Sequence, residues 1–394
     1  MDRIVPFNFD REVRFDPAGD FEAFLKEAPA KWVVYLMADE DGRPVQLLCV
    51  KNLRYSLKRR LGVEDEAIGL SKRVNYREIV RRISWRRVDS AFEADAVYLE
   101  AARKYFAQTY QGMTGFRPAW FLHVNPEADF PRFTKTTDLG IRAGQLLGPV
   151  EGKEAAQALI EDVQDWFDLC RYHHVLVESP AAKPCAYKEM GKCPAPCDGT
   201  ISMAQYRRLV EWSSRAIVDS EELIREQTKR MQAAAKELRF ETAAKIKSYI
   251  DSLSQIGTGP LRHLRRLRDF SFLSLQHGPR AGTIKSFLIT PGLIEEIAGV
   301  PFEPAKPSDL LRLALTLAAD RGCDAVDPAG AERIGVVTHH LFQPRTHPGL
   351  FLPLATIDEK QIVKAYRDLQ KQKKPPEDDP EADGEGVFKE LQAL

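Results

Sequence analysis

Much is missing from this 394-residue chain, and each absence narrows the reading. No apolar run approaches the roughly 18 residues needed to cross a bilayer as a helix. The opening residues, MDRIVPFNFDREV, lack the apolar core of a secretory signal. The expectation is therefore a cytoplasmic protein with no membrane association. There is no excess charge of either sign, since 57 basic residues balance 57 acidic ones. No internal repeat is visible. Cysteine is scarce, at six residues, yet four of the six lie between positions 170 and 197. In a reducing cytosol disulfides are rare, so such a cluster points to a metal. The paired C-x2-C knuckles of a zinc ribbon are absent as well.

What is present fits two or three globular domains: 44% of residues are hydrophobic and 29% charged. The neutral total hides local asymmetry. Residues 43–87 hold 13 Lys or Arg against 4 Asp or Glu, whereas 377–385 is strongly acidic. Residues 1–20 read as an irregular lead-in. Hydrophobic patterning predicts a short helix at 21–27, strands at 31–37 and 45–50 around the Asp39–Gly42 turn, and helices at 51–61, 75–83 and 92–106. Further strands are predicted at 85–88, 120–124 and 133–136, and amphipathic helices at 154–169, 203–218 and 219–256, the last broken near Arg239-Phe240. Beyond a basic, helix-like run at 262–268 come strands at 272–275 and 284–289 and helices at 310–319 and 362–370, then a charged Pro/Gly-containing tail. The fold class is α/β in the mixed, α+β sense.

Cys170, Cys185, Cys193 and Cys197 are spaced C-x14-C-x7-C-x3-C. Pro194 and Pro196 forbid a regular helix between the last two, so the chain must loop there. Both thiolates can then face one centre. Four soft sulfur ligands suit an iron–sulfur cluster or tetrahedral Zn2+, and the missing knuckles favour the cluster. Cys49 and Cys323 stand alone and read as buried hydrophobes.

The flanks of these cysteines carry a resemblance. Pro184-Cys185-Ala186-Tyr187, Gly191-Lys192-Cys193, Ala195-Pro196-Cys197 and Gly199 to Ser202 resemble the cysteine region of the UvrC family, a component of the bacterial excinuclease ABC, with Cys170 at its upstream cysteine. Phe130-Pro131-Arg132 and Leu147-Gly148-Pro149 are similar to two further family motifs, and Met231 to Ile256 is similar to its UVR motif. The resemblance covers about residues 20–256. It implies a 4Fe–4S cluster on the four cysteines and a role in bacterial nucleotide-excision repair. It also implies that a helicase subunit, UvrB, docks on the UVR hairpin. Leu238, Phe240, Ala243, Ala244 and Ile246 would supply the apolar docking face there. The expected divisions are a lead-in at 1–20, a degenerate GIY-YIG-like unit at 21–140, the cysteine region at 141–202 and a helical region at 203–258 with UVR at 225–256. A C-terminal α/β unit at 259–370 and a tail at 371–394 complete them. The cysteines would hold the N-terminal unit against the UVR helices.

The family's N-terminal unit is a GIY-YIG nuclease, which needs a carboxylate for a hard cation and cations for phosphate charge. Lys51 to Arg54 anchors the comparison. Tyr35 then matches the first tyrosine and Glu100 the metal-binding glutamate, the expected seat of Mg2+ or Mn2+ if any catalysis persists. Gln46 stands for the second tyrosine, Cys49 for the lysine and Ser56 for the helix arginine, while the late asparagine falls at Gln111 or is lost. The nuclease therefore reads as lost or weak. Lys51, Arg54, Lys58, Arg59 and Arg60 still form a basic stretch suited to DNA backbone. Residues 260–370 are too short for the family's second nuclease and paired helix-hairpin-helix motifs. His339, His340 and His347, near Asp327 in sequence, read as structural or surface residues. The favoured function is a UvrC-like repair protein that binds UvrB and DNA. The alternatives are an endonuclease with a rewired site and an iron–sulfur redox regulator.

Overall fold

The computed structural model describes residues 7–62, 75–115, 117–256, 259–280, 282–297, 307–319, 321–343 and 349–372. The acidic tail, His347 and residues 1–6 of the lead-in lie outside them. The architecture is mixed, with thirteen α-helices and three four-stranded antiparallel sheets among the described residues.

The first sheet has the order β1-β4-β2-β3, with β1 at Arg11–Arg14, β2 at Val33–Ala38, β3 at Pro44–Val50 and β4 at Arg82–Arg87. Helices α1 (Phe21–Glu27), α2 (Leu53–Leu61), α3 (Tyr76–Ile79) and α4 (Ala91–Tyr105) accompany it. β2 is buried along its whole length, because both faces of the sheet are covered. Alternation sorts its side chains. Val33, Tyr35 and Met37 pack with Leu53, Leu57 and Leu61 of α2. Val34 and Leu36 pack with Ala94, Val97 and Ala101 of α4. Two expectations change here. The lead-in is not irregular throughout, since Arg11–Arg14 pairs in register with Arg82–Trp85. The helix expected at 75–83 stops at Ile79, and Ile83 joins β4, where it is buried in the sheet core.

The second sheet, β6-β5-β7-β8, takes β5 at Trp120–Val124, β6 at Phe133–Thr136, β7 at Gln145–Val150 and β8 at Arg265–Arg266. Helix α5 (Lys153–Trp166) packs on it, followed by the short α6 (His173–Leu176) and α7 (Ala186–Glu189) and then α8 (Met203–Val218). Helices α9 (Ser220–Lys236) and α10 (Phe240–Ile256) form an antiparallel hairpin that breaks where the sequence predicts. The basic run at 262–268 is not an α-helix. Two 3-10 turns flank β8, because Arg265 and Arg266 pair with Gly148 and Leu147.

The third sheet, β11-β10-β9-β12, is built from β9 (Phe272–His277), β10 (Ile284–Thr290), β11 (Leu293–Glu296) and β12 (Leu350–Pro353). Leu273, Leu275 and Leu288 pack under α11 (Pro307–Ala318) and α13 (Glu359–Lys371). Helix α12 (Pro328–Phe342), which hydrophobic patterning does not reveal, lies at the centre of the molecule. Its Ile334, Val337 and Leu341 share one core with Phe92 and Leu99 of α4, Phe121 and Leu146 of the second sheet, and Phe272 and Phe287 of the third. No helix among the described residues is long and apolar enough to cross a membrane.

Candidate functional site

The cysteine loop is shaped by prolines and a left-handed turn. Ala195, between Pro194 and Pro196, takes φ 53°, and Gly199 closes the following 3-10 turn at φ 81°. The loop is tied down by its backbone. Ala182 N–H donates to Cys197 O at 3.0 Å, Ser179 Oγ donates to Pro196 O at 2.6 Å, and Lys188 pairs with Asp198. Arg171 lies 4.2 Å over the Tyr187 ring and donates to Lys192 O at 3.0 Å, which ties down the segment entering Cys193. From α8, the Tyr206 hydroxyl accepts from Cys170 N–H at 3.1 Å.

These ties bring four sulfurs into one neighbourhood. Cys170, Cys193 and Cys197 are buried and Cys185 is half-buried. Cys170 and Cys193 share a thiol hydrogen bond, and Cys197 lies within electrostatic reach of Cys170, Cys193 and Cys185. The proton in the shared bond stays on Cys170, whose pKa is pushed up. That bond, with help from Ala195 N–H and the Arg171 charge, lowers the Cys193 pKa to about 6 against the opposing effect of burial. Cys197 is raised, first by burial and then by Asp198. Among the described residues no three His, Cys, Asp or Glu side chains are posed as a finished ligand set. The donor chemistry nevertheless suits a soft metal, with four sulfurs carried by one loop.

The contacts of this loop run to the second sheet and α8. Cys170 and Cys193 belong to the core formed with Leu147, Val163 and Tyr206. Nε2 of His173 lies 3.3 Å from Phe130 O. Leu122, Val124 and Phe133 of the unit expected at 21–140 share the core of Cys170 and Cys193 with Leu223 and Leu253 of the UVR helices, while the first sheet is held by the C-terminal third. Lys285 of β10 reaches Asp89 at 3.0 Å and Glu93 at 2.6 Å, with both carboxylates buried. His340 of α12 meets Asp95 at 2.7 Å.

Tyr35 and Glu100, the two catalytic residues expected from the resemblance, do not meet. Tyr35 points to the α2 side, where its hydroxyl hydrogen-bonds Ser56 Oγ at 2.9 Å and burial pushes its pKa up to about 12. Glu100 sits on α4, across the sheet. There Arg333 of α12 grips it in a fork, with Nε to Oε1 at 2.7 Å and Nη2 to Oε2 at 3.1 Å. Arg103 approaches the same carboxylate at 3.8 Å and ties to Glu332 at 3.4 Å. A cavity of about 370 Å³ opens beside Glu100, and Arg86 and Arg333 share its wall with Glu93 and Glu295. Sequence reasoning missed Arg333, which lies 233 positions from its partner.

Other expected residues are likewise engaged. Arg54 donates to Leu25 O and Ala28 O at 3.0 and 3.1 Å. Arg60 donates to Gln46 Oε1 at 3.4 Å and lies 5.9 Å from the Tyr76 ring centre. Lys58 and Arg59 face outward and Lys51 is half-buried. Cys49, which accepts a hydrogen bond from Trp32 Nε1 at 3.2 Å, is pushed up to about 12 by burial. Asp327 caps α12 through Gly330 N–H.

The α9–α10 bend presents an apolar tip. Leu238 takes a left-handed φ of 60°, and Arg239 N–H donates to Ala234 O at 2.9 Å while Leu238 N–H donates to Ala235 O at 3.0 Å. This pair of hydrogen bonds ends α9 as glycine usually would. Leu238 is 73% exposed and Phe240 64%. Ala244 is also exposed, whereas Ala243 and Ile246 are half-buried. At its other end the hairpin is anchored by Tyr249, stacked 4.8 Å from Trp212 of α8.

Comparison with known proteins agrees with this layout. Residues 119–215 match the UvrC/Cho excinuclease middle domain, and residues 221–256 match the UvrB/uvrC motif. The UvrABC system protein C of Caldanaerobacter subterraneus is 27% identical over 245 residues, which cover 60% of this chain and 38% of that protein. Its counterpart from Syntrophotalea carbinolica is 26% identical over 226 residues, 56% of this chain and 36% of that protein. The counterpart from Syntrophomonas wolfei is 32% identical over 113 residues, 28% of this chain and 19% of that protein. The matched segments thus span well under half the length of these curated relatives. No solved structure matches the chain significantly. The UvrC middle-domain match thus surrounds the cysteine loop, and the UVR match falls on the α9–α10 hairpin.

Proposed function

We propose that this chain acts in bacterial nucleotide-excision repair as a UvrC-like accessory protein that docks UvrB, contacts DNA and has lost the first nuclease activity. The observation that carries the reading is the hairpin tip. Two large apolar side chains, Leu238 and Phe240, stand exposed at the bend within the segment matching the UVR motif. Exposed apolar anchors on a rigid bend are what a docking hairpin requires. The loss of nuclease function is supported by Glu100. A carboxylate held in a fork by Arg333 already has its charge met, and a hard cation would have to displace a guanidinium to reach it.

On this reading Cys170, Cys185, Cys193 and Cys197 hold a 4Fe–4S cluster. When bound, the cluster supplies sulfur-anchored cross-links between segments that otherwise rely on a few hydrogen bonds. Tyr206 orients the Cys170 backbone and Arg171 favours thiolate at Cys193. The test has two parts. Anaerobically purified protein should carry iron and sulfide in cluster stoichiometry, and a colourless preparation with one zinc would overturn the assignment. Immobilised UvrB should capture the wild-type chain and lose it with Leu238→Ala/Phe240→Ala. Equal capture of both would refute docking through the tip.

A further inference from the structure

The motif Phe130-Pro131-Arg132 belongs neither to the cysteine ligands nor to the docking hairpin. In the structure Arg132 lines a cleft of about 310 Å³ that opens directly beside Cys170. Four elements build it. The loop before β6 contributes Arg132, β6 contributes Thr134 and Lys135, α5 contributes Gln164, and the cysteine loop contributes Arg171 and His173. Every charged residue in the lining is cationic, and the uncharged polar ones are hydrogen-bonding groups. Of the lining cations Arg171 is paired with Asp165, so Arg132 and Lys135 carry the cleft's positive charge, and Glu161 accepts from the lining Gln157 Nε2 at 2.9 Å. The His173–Phe130 contact at 3.3 Å fixes the two loops that form the mouth. His173 itself is held below the usual histidine range, by burial first and by the Arg132 charge second. The cleft is thus a cationic concavity of a few hundred cubic ångströms, walled by guanidinium, ammonium, hydroxyl and amide groups. Such a site suits a phosphate.

Next to it stands Tyr172, 42% exposed. Its ring is 5.9 Å from Tyr187 and 5.7 Å from His174, and Arg171 covers Tyr187. Tyr172 lies between Arg171 and His173, both lining the cleft, so an outward aromatic adjoins the concavity. We propose that this cleft is a phosphate-binding site that seats the backbone of a single DNA strand, with Tyr172 as the platform for an unpaired base. The inference deepens the DNA-binding part of the proposed function and rests on it only for the source of the phosphate. The same chemistry would accept free phosphate, and the experiment separates the two.

The test measures binding of the full chain to a fluorescent dT12 oligonucleotide and to a 12-base-pair duplex across a salt series. Arg132→Gln/Lys135→Gln should weaken dT12 binding about tenfold or more, and should flatten the log–log salt slope by roughly 1.4, the value for two lost single-strand phosphate contacts. Tyr172→Ala should weaken dT12 about five- to tenfold and leave the duplex nearly unchanged, because stacking needs an unpaired base. Arg132→Lys should keep most of the affinity, and unchanged thermal unfolding of each variant excludes misfolding as the cause. If the wild type binds dT12 and the double variant binds equally with the same slope, the cleft is not the site, although the repair reading survives. If the wild type binds no DNA but inorganic phosphate raises its melting temperature and not that of the double variant, the phosphate site is upheld and its DNA source overturned. No response to either probe overturns the proposal.

Discussion

In the cysteine loop, four sulfur donors separated by up to 14 intervening residues fall into one neighbourhood. In the first sheet, Tyr35 and Glu100 fall on opposite faces, each already satisfied by a local partner. The loop brings Cys170 and Cys193 into thiol contact, with Cys197 and Cys185 within electrostatic reach. In the sheet the residues expected to carry chemistry are engaged in packing contacts, with Ser56 for Tyr35, Arg60 for Gln46 and Arg333 for Glu100. The contrast teaches that retained residue identity does not measure retained chemistry. What matters is whether the groups share a face and whether their charges are still open.

The strongest way to break the comparison is to attack the grip between the first sheet and the C-terminal third. Lys285→Met leaves Asp89 and Glu93 buried without their cation, and urea unfolding should register a loss of about 3–5 kcal/mol. A loss below about 1 kcal/mol would mean that the cluster is dispensable. Arg333→Gln should cost less, about 1–2 kcal/mol, since the pair with Glu100 is only partly buried. It should not restore divalent-metal-dependent nicking, because Tyr35 would still face away. Gain of nicking in that variant would show that the guanidinium alone silences the site.

Acid should act on the same side of the molecule. His263 packs 5.5 Å from Phe342 at the end of α12, and burial, then Arg262 and Arg265, lower its pKa to about 4. The unfolded chain binds this proton more readily, so its contribution is fully present above about pH 6.5 and is lost as pH falls toward about 4. Allowing for its partial exposure, we expect about 1–2 kcal/mol, measurable as a pH slope that His263→Phe flattens. The smallest effect sharpens the other half of the comparison. Leu238→Gly should relieve the left-handed strain and stabilise the hairpin by about 0.5–1 kcal/mol in thermal unfolding, while weakening capture by UvrB. A variant both more stable and equally captured would mean that Leu238 is not part of the docking face.

Much of this arrangement is legible from the sequence where the signal is local. The 33–50 hairpin, α4, α5 and the break at Arg239-Phe240 follow from alternation, helical spacing and turn residues. The Pro194-Ala195-Pro196 loop follows from proline chemistry alone. What escapes is long-range or masked. β1 and β8 are short and exist because partners elsewhere pair with them. Helix α12 carries Gly330 and Gly335, poor helix formers that blur its pattern. Close packing explains them: a Cβ at Gly330 would come within 2.9 Å of Gly292 Cα, and one at Gly335 within 3.2 Å of Arg117 O. The Arg333–Glu100 fork depends on that close approach, so no local pattern could announce it.

The central proposal is that this chain, similar to UvrC proteins in its middle domain and UVR motif, keeps a cysteine site and a docking hairpin while a nuclease site at Tyr35 and Glu100 is closed. Incision of damaged duplex by the wild type and Glu100→Ala, with UvrB and Mg2+ or Mn2+ present, tests it most directly. The account predicts no metal-dependent nick at the level expected of this site, and no difference between the two proteins. Robust incision by the wild type that Glu100→Ala abolishes would contradict it.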